Sequence, residues 1–254
     1  MKLLRRSGPK PLSLSERLYR RFVLKYHGRY LITDLQLRAK SQSVDYIEAH
    51  MRDAMILRDR WGLLLFAARE APAQGLMLEV GVADGASVSY LAKRFARDWH
   101  GFDSFEGLPE HWSGTEASKG TFGRGGALPS VPANVTLHRG WFEDTLPRFL
   151  AGVGEQAVAF LHVDCDIYSS TATVFKSLSA RLGAGTVVVF DEYFNYWNWQ
   201  RHEWRAFQEF VRDTGTSYRY LGFSQKNGHV AVRLGEKSEA ASREAEEKLA
   251  RVMP

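Results

Sequence analysis

The chain has 254 residues, of which 44% are hydrophobic and 25% are charged, and its formal net charge at pH 7 is +5. These proportions exclude a disordered or fibrous chain and fit one large domain with an extension, or two small domains. The single cysteine, Cys165, excludes an internal disulfide, and no apolar run approaches the ~20 residues that a bilayer span requires. We therefore expect a cytoplasmic protein without a membrane span.

The N-terminal part of the chain is strongly basic. Residues 1–40 contain eleven Lys or Arg and two acidic residues, whereas the remainder has more acidic than basic residues. Such an arm can dock on nucleic acid, an anionic membrane or an acidic partner, or its charges can lie on a solvated helix face. Because the arm lacks the signatures of a nucleic-acid-binding module, nucleic acid is not the expected partner.

Helices are predicted at the start of the chain. Ser13 and Glu16 have the spacing of a capping box, and Leu18, Phe22 and Tyr26 then form one apolar stripe. A second helical stretch is predicted over about residues 44–68, with an interruption near 58–61. These helices need a surface on which to bury their stripes, so we expect residues 1–70 to form a helical extension that acts as a lid or as the contact of a homodimer or larger homo-oligomer.

From Gly75 onward, short apolar runs alternate with helical patterns. Runs such as VAFLHV and TVVVF are apolar without alternation, which is typical of parallel strands covered on both faces. Alternating strands and helices indicate right-handed crossovers and a doubly wound α/β sheet. The predicted strands are 76–80, 99–102, 135–137, 157–163 and 186–190. The predicted helices are 86–97, 143–150, 169–182 and 200–213.

The C-terminal region has a different pattern. Residues 218–223 and 229–234, joined around 226–228, predict an antiparallel hairpin that brings the sheet to seven strands. Residues 238–251 predict a charged helix or a frayed tail. The predicted organisation is therefore an extension over 1–70, a main domain over 71–235 and a tail over 236–254.

Ligands of open α/β sheets bind beyond the carboxyl ends of the strands. After the first strand, Gly81 and Gly85 permit a tight turn and a close approach to a ligand, and Glu79 suits a cationic ligand group. The third glycine of a dinucleotide-binding motif is absent, and any β–α turn can carry two glycines. Asp103, after the second strand, can accept hydrogen bonds from ribose hydroxyls, or it can be an ordinary turn aspartate.

The next strand ends carry aromatic and acidic residues. Trp141 and Phe142 either flank a purine or belong to the core. Four carboxylates end the fourth and fifth strands, and crowded like charges need a neutralising cation such as Mg²⁺, unless they are simply solvated. These carboxylates are Asp164, Asp166, Asp191 and Glu192.

An aromatic segment follows the fifth strand. Tyr196, Trp197 and Trp199 are candidates for stacking on a sugar or flat acceptor. His202 is a candidate general base, because its unperturbed pKa lies near neutrality, although a lone histidine is more often structural.

Five motifs in this order resemble the class I S-adenosylmethionine (SAM)-dependent methyltransferases, and more narrowly the macrocin/mycinamicin sugar O-methyltransferase family. They are LEVGVADGAS (78–87), GFDSFEGLP (101–109), GWFEDTLP (140–147), LHVDCDIYSST (161–171) and GTVVVFDEY (185–193). The resemblance covers residues 75–234 and implies a Rossmann-like methyltransferase fold.

The resemblance also implies roles for individual residues. The methionine part of the cofactor would contact Glu79 and Gly81, and the ribose would contact Asp103. The adenine would lie near Ser104, Trp141 and Phe142. The implied cofactor contacts are Glu79, Gly81, Gly85, Asp103, Ser104, Trp141, Phe142 and Asp164. The Mg²⁺ ligand positions of the family match Asp164, Asp191 and Glu192, where the family has an Asp-Asp pair in place of the last two.

The sequence thus predicts a Mg²⁺-assisted, SAM-dependent O-methyltransferase acting on a small-molecule acceptor in natural-product or glycan tailoring. The acceptor hydroxyl would belong to a sugar, a glycoside or a phenolic ring, preferably as a vicinal diol, with Asp164 or His202 as the base. The glycine-rich segment 105–132 is a candidate mobile lid. The alternatives are a nicotinamide-dependent oxidoreductase on the same type of sheet and a non-catalytic binding protein.

Overall fold

The computed structural model describes residues 13–26 and 30–252. The first twelve residues of the predicted basic arm therefore lie outside the described part. Eight strands and eight α-helices alternate along the described chain. The helices are α1 (Leu14–Tyr26), α2 (Leu31–His50), α3 (Arg60–Glu70), α4 (Ala86–Ala92), α5 (Phe142–Gly152), α6 (Tyr168–Leu178), α7 (Glu203–Thr214) and α8 (Glu239–Val252). The strands are β1 (Met55–Leu57), β2 (Leu76–Val80), β3 (Trp99–Asp103), β4 (Val135–Arg139), β5 (Val158–Val163), β6 (Val187–Phe190), β7 (Thr216–Ser224) and β8 (Val230–Lys237).

The strands form one sheet in the order β1-β7-β8-β6-β5-β2-β3-β4. Among the described strands only β8 runs against its neighbours, pairing antiparallel with both β6 and β7. The predicted doubly wound, mostly parallel sheet with a C-terminal hairpin is confirmed. Because β2, β3, β5 and β6 are parallel, their carboxyl ends meet at one edge, where the predicted site residues are delivered.

An eighth strand, β1, was not expected from the sequence. It pairs parallel with β7, and Met55 lies opposite Gly222. The strand has only three residues, Met-Ile-Leu, and is largely exposed. It is too short to show the run of residues by which longer strands are predicted. It also divides the predicted helix over 44–68, because α2 ends at His50 and α3 begins at Arg60.

Apolar side chains cover both faces of the sheet. One core cluster includes α3 and α4 residues such as Leu64 and Leu91, and the other includes α5 to α8 residues such as Phe149 and Phe207. Strand β5 is buried along its whole length. This burial on both faces explains why most of its residues are apolar.

The N-terminal helices behave differently from this core. The predicted capping box is confirmed, since Ser13 N donates to Glu16 Oε2 at 2.7 Å and Glu16 N to Ser13 Oγ at 3.2 Å. The apolar stripe of α1, however, faces outward, and Leu18 and Phe22 are 58% and 56% exposed. In the described part of the chain, no helix combines the length and the apolar character needed to cross a membrane.

Candidate active site

A cavity of about 420 Å³ opens at the carboxyl edge of the sheet. Its floor is made of the residues that follow β2, β3, β5 and β6. Its walls come from the start of α3, the segment after β3 and the start of α5. The cavity therefore collects residues that are up to 132 positions apart in the chain, from Arg60 to Glu192.

The turn after β2 is held by Asp103. Its Oδ2 accepts hydrogen bonds from the backbone N–H groups of Val82 and Ala83, both at 2.8 Å, and its Oδ1 accepts one from Phe105 N–H at 2.6 Å. These bonds hold Ala83 at a φ of +46°, a conformation that a non-glycine residue adopts only under constraint. Asp103 therefore shapes the turn and also lines the cavity.

Gly81 is required by the geometry of this turn. Its φ is +86°, and a Cβ atom here would overlap the carbonyl oxygen of Asp164 on the neighbouring strand end. Glycine is the residue that permits both the conformation and the close approach. This contact brings the first turn directly against the acidic strand end.

Glu79 lies beneath the cavity and is completely buried. It accepts hydrogen bonds from Ser87 Oγ at 2.9 Å and Val88 N–H at 3.2 Å, and its Oε2 lies 2.9 Å from His162 Nδ1. With no exposed surface, it supports the first turn from below and does not face a ligand. Gly85 is also buried, behind Pro129.

Ser104, Trp141 and Phe142 line the cavity, as predicted for residues beside an adenine. The structure adds three aromatic side chains that the sequence analysis missed. Trp61, Trp112 and Phe122 come from α3 and from the segment after β3, and they also face this cavity. Trp112 and Phe122 lie in the segment 105–132 that was predicted as a lid, whereas nothing in the sequence marked Trp61.

The acidic residues meet a cation that the sequence analysis also missed. Arg60, the first residue of α3, places Nη2 at 2.7 Å from Asp164 Oδ2 and Nε at 3.3 Å from Asp191 Oδ1. His162 lies on the other side of Asp191, with Nε2 at 3.6 Å from Asp191 Oδ1. His229 Nδ1 also lies 3.3 Å from Asp191 Oδ1, so three basic side chains face the two strand-end aspartates.

These contacts determine the protonation of the cluster. Burial lowers the pKa of His162, but the facing carboxylates of Asp191 and Glu79 outweigh it and raise that pKa to about 10. Burial raises the pKa of Asp191, but the facing side chain of His162 and the charge of Arg60 reverse this effect and lower the pKa overall. His162 is thus an imidazolium, and Asp191 is a carboxylate, at neutral pH.

Asp164 has a different balance. Burial and the charge of Asp191 raise its pKa to about 7, while His162 and Arg60 act in the opposite direction. Burial and neighbouring carboxylates raise the pKa of Asp166 and Glu192 well above the usual range. A carboxyl group that titrates near neutrality and lines the cavity is suited to accept a proton.

Two groups of described residues bring possible metal-ligand atoms within 4.8 Å of one another: His162–Asp164–Asp191 and Asp164–Asp166–Glu192. The trio that the sequence predicted, Asp164, Asp191 and Glu192, is neither of them. In the first group the guanidinium of Arg60 already donates a hydrogen bond to Asp164 and forms an ion pair with Asp191. These residues therefore do not fit a divalent ion held between Asp164 and Asp191.

The aromatic segment after β6 is distributed between the core and a second cavity. Trp199 is 2% exposed and packs edge-on against Trp204, so it offers no stacking surface. Tyr196 lies against Trp112 and borders a neighbouring cavity of about 380 Å³. Trp197 is half-buried and lines neither cavity.

His202 is also outside both cavities. Its side chain is buried, Nε2 lies 2.9 Å from the carbonyl oxygen of Ser113, and its ring packs near Trp112 and Tyr196. Burial lowers its pKa. The structure therefore brings Asp164 to the cavity and places the other candidate base behind its wall.

The second cavity shares a wall with the first. Arg60, Trp112, Asp191 and Glu192 line both cavities. One compartment therefore contacts the Asp103 turn, the other contacts Tyr196, and the charged cluster lies between them. This arrangement suits a reaction between two ligands that bind side by side.

Comparison with known proteins identifies the domain. Residues 78–193, which contain the Asp103 turn and the acidic strand ends, match the family model described as "Methyltransferase domain". This part of the chain is therefore similar to methyltransferase domains. The predicted resemblance to the class I methyltransferases is thereby confirmed.

A curated relative and two solved structures are similar to this methyltransferase. The first is 8-demethyl-8-(2,3-dimethoxy-alpha-L-rhamnosyl)-tetracenomycin-C 4'-O-methyltransferase from Streptomyces olivaceus, 29% identical over 147 residues, which are 47% of this chain and 53% of the relative. The alignment thus spans about half of that protein.

The calicheamicin methyltransferase CalS11 is 20% identical with a TM-score of 0.53, and the similarity covers 90% of this chain and 99% of that one. The O-methyltransferase NovP is 19% identical with a TM-score of 0.50, covering 70% and 80%. At these identities the two structures support the fold alone.

Proposed function

We propose that this methyltransferase is a SAM-dependent O-methyltransferase whose acceptor is a hydroxyl of a sugar, or of another vicinal diol, on a small natural-product molecule. The observation that carries the proposal is the pair of adjoining cavities, with Asp103 and Asp164 in the first, Tyr196 at the second, and Asp191 and Glu192 on their shared wall. The rhamnosyl substrate in the name of the Streptomyces olivaceus relative supports a sugar acceptor.

The first cavity fits the cofactor. Asp103, fixed by three backbone N–H groups, presents a carboxylate of the kind that accepts ribose hydroxyls, and Ser104, Trp141 and Phe142 supply a partly aromatic wall for a flat base. When bound, the cofactor supplies an electrophilic methyl group on a sulfonium. Gly81 packs closely against the backbone of Asp164, so the turn after β2 lies directly beside the acidic end of β5.

The second cavity would hold the acceptor. Tyr196 and Trp112 form an aromatic corner on which an apolar sugar face can stack, beside the charged groups that it shares with the first cavity. Side-by-side binding supplies the proximity and orientation on which methyl transfer depends.

Asp164 is the proposed base. It lines the first cavity, and its pKa of about 7 leaves a large fraction ionised at neutral pH. Its carboxylate takes the acceptor proton as the hydroxyl oxygen gains the methyl group, and it then releases the proton to solvent. Mg²⁺ takes no part in this proposed reaction. Two of its predicted ligands, Asp164 and Asp191, are already ion-paired with Arg60.

We also propose that the chain assembles as a homodimer or larger homo-oligomer through its N-terminal helices. The proposal is supported by the exposed apolar residues Leu14, Leu18 and Phe22 on α1 and Leu31 on α2. Replacing Leu18 with Glu should lower the molar mass measured by light scattering after size-exclusion chromatography. An unchanged mass would oppose this assembly.

Binding of S-adenosylhomocysteine, measured by calorimetry, tests the cofactor assignment. We expect micromolar binding by the wild type and a loss of about 100-fold or more for Asp103→Ala, because both the ribose acceptor and the turn are removed. Asp213→Ala, which removes an exposed carboxylate paired with Arg212, is the matched control. Binding of NADH in its place would support an oxidoreductase, and binding of neither would support a non-catalytic protein.

Methyl transfer to rhamnosides and to simple catechols, followed by mass spectrometry, tests the acceptor class. Asp164→Asn should reduce turnover by about 10²–10⁴-fold while S-adenosylhomocysteine still binds. Transfer to catechols but not to rhamnosides would replace the sugar by a phenolic acceptor. Full turnover by Asp164→Asn would remove this residue from the mechanism.

A further inference from the structure

The acidic boundary between the two cavities already contains a cation. Arg60 begins α3 directly after Asp59, whose side chain caps the helix by accepting a hydrogen bond from Gly62 N–H at 2.9 Å. This cap fixes the start of α3 at the edge of the sheet. The Arg60 side chain, 29% exposed, then reaches both strand-end aspartates.

The position of the guanidinium excludes a divalent ion from the same aspartates. Mg²⁺ is bound by carboxylate oxygens at about 2.1 Å, in a near-octahedral arrangement. Asp164 Oδ2 is instead 2.7 Å from Arg60 Nη2, and Asp191 Oδ1 is 3.3 Å from Arg60 Nε and 3.6 Å from His162 Nε2. An ion between these oxygens would have to displace Arg60.

We propose that Arg60 takes the place of the divalent cation at this site and that the protein works without a metal there. The guanidinium of Arg60 supplies a positive charge against the carboxylates of Asp164 and Asp191. The consequence for catalysis rests on the proposed methyltransferase function, whereas the occupancy of the site by Arg60 does not.

In the proposed reaction, Arg60 is a positioning residue. It holds Asp164 in the first cavity by one short charge-assisted hydrogen bond, and its charge favours the ionised form of this carboxyl group. A fixed guanidinium thereby keeps the base oriented toward the acceptor.

A competing arrangement lies beside this one. Asp164, Asp166 and Glu192 also bring ligand atoms within 4.8 Å of one another, and Glu192 Oε2 is buried without a hydrogen-bond partner. Asp166 and Glu192 have no cation of their own at hydrogen-bond distance among the described residues. A metal bound by the wild type at this trio would contradict the proposal.

Titration of the full-length protein with Mn²⁺, followed by the electron paramagnetic resonance of the free ion, measures occupancy without reference to activity. The wild type should show no binding below about 1 mM Mn²⁺. Arg60→Met removes the guanidinium and keeps an unbranched apolar side chain, so it should bind Mn²⁺ at least about tenfold more tightly. Arg205→Met is the control, because Arg205 forms a half-buried pair with Glu209 outside both cavities.

Arg60→Lys provides a second variant that retains the positive charge. It should resemble the wild type in Mn²⁺ binding, and circular dichroism would show that both variants fold. If Arg60→Met unfolds in the absence of metal, recovery of its melting transition on addition of Mn²⁺ supports the proposal.

Two results would overturn this assignment. One is Mn²⁺ binding by the wild type that Glu192→Gln abolishes, which would place a metal on the competing trio. The other is a failure of folded Arg60→Met to gain any Mn²⁺ binding over the wild type and Arg60→Lys. Because S-adenosylhomocysteine binding is measured separately, failure of the methyltransferase proposal would be distinguished from failure of this one.

Discussion

Glu79→Gln tests the buried charge pair that supports the site from below. Glu79 and His162 are both 0% exposed, and their facing atoms are 2.9 Å apart. Glutamine has nearly the same shape and can still accept the hydrogen bonds from Ser87 and Val88. The substitution therefore removes one negative charge and replaces the oxygen that faces His162 Nδ1 by an NH₂ group.

The magnitude follows from the pKa of His162. Burial lowers this pKa, but the facing carboxylates of Asp191 and Glu79 raise it overall from 6.5 to about 10. Because the pKa is higher in the folded state, the stabilisation is fully present below pH 6.5 and is lost as pH rises to 10. Removing one partner of a buried pair costs about 3–5 kcal/mol, and we expect about 3 kcal/mol at pH 7 because Asp191 still faces the ring.

Urea unfolding at two pH values measures this effect. The difference in free energy of unfolding between wild type and Glu79→Gln should fall from about 3 kcal/mol at pH 7 to about 1 kcal/mol at pH 9. Glu209→Gln, which removes a carboxylate beside an arginine that stays charged at both pH values, should show a constant difference. A difference for Glu79→Gln that does not change with pH would refute the assignment of an imidazolium at His162.

Three further substitutions test the geometry of the cavity. Gly81→Ala forces a Cβ into the carbonyl of Asp164 and should either unfold the protein or abolish S-adenosylhomocysteine binding; calorimetry showing wild-type affinity would contradict the close approach. Phe122→Ala removes an exposed aromatic from the cavity wall, so affinity should fall about tenfold while the melting temperature stays within a few degrees; an unchanged affinity would remove Phe122 from the site. His202→Gln should keep turnover within about tenfold of the wild type, with the same pH profile, because the imidazole is hydrogen-bonded to Ser113 behind the cavity wall. If the substitution abolished the change of turnover with pH near neutrality, His202 would be a base after all.

The order of elements in the main domain follows from the sequence. Uninterrupted apolar runs such as residues 158–163 mark strands buried on both faces, and such strands have to be parallel and covered by helices. That topology alone places the ends of successive parallel strands at one edge. For this reason Asp103, Asp164 and Asp191 could be assigned to a common site before the structure was known.

Local patterns failed where an element depends on a distant partner. Strand β1 has three residues, and it exists because β7 offers a parallel edge to Met55–Leu57. The aromatic residues after β6 are alike in sequence, but Trp199 is in the core and Tyr196 borders a cavity. Composition and spacing do not distinguish these environments, because the difference is set by which helix packs over each residue.

The charges of the site show most clearly which features depend on the sequence alone and which depend on the tertiary structure. The sequence alone determined that several carboxylates would crowd one sheet edge and would need positive charge to offset them. Which cation supplies it depended on the tertiary structure, since Arg60 lies 104 residues before Asp164 in the chain and reaches it at 2.7 Å only after α3 packs beside the strand ends. Strand and turn signals are local, whereas electrostatic partners are chosen by distance in space, which the folded chain alone defines.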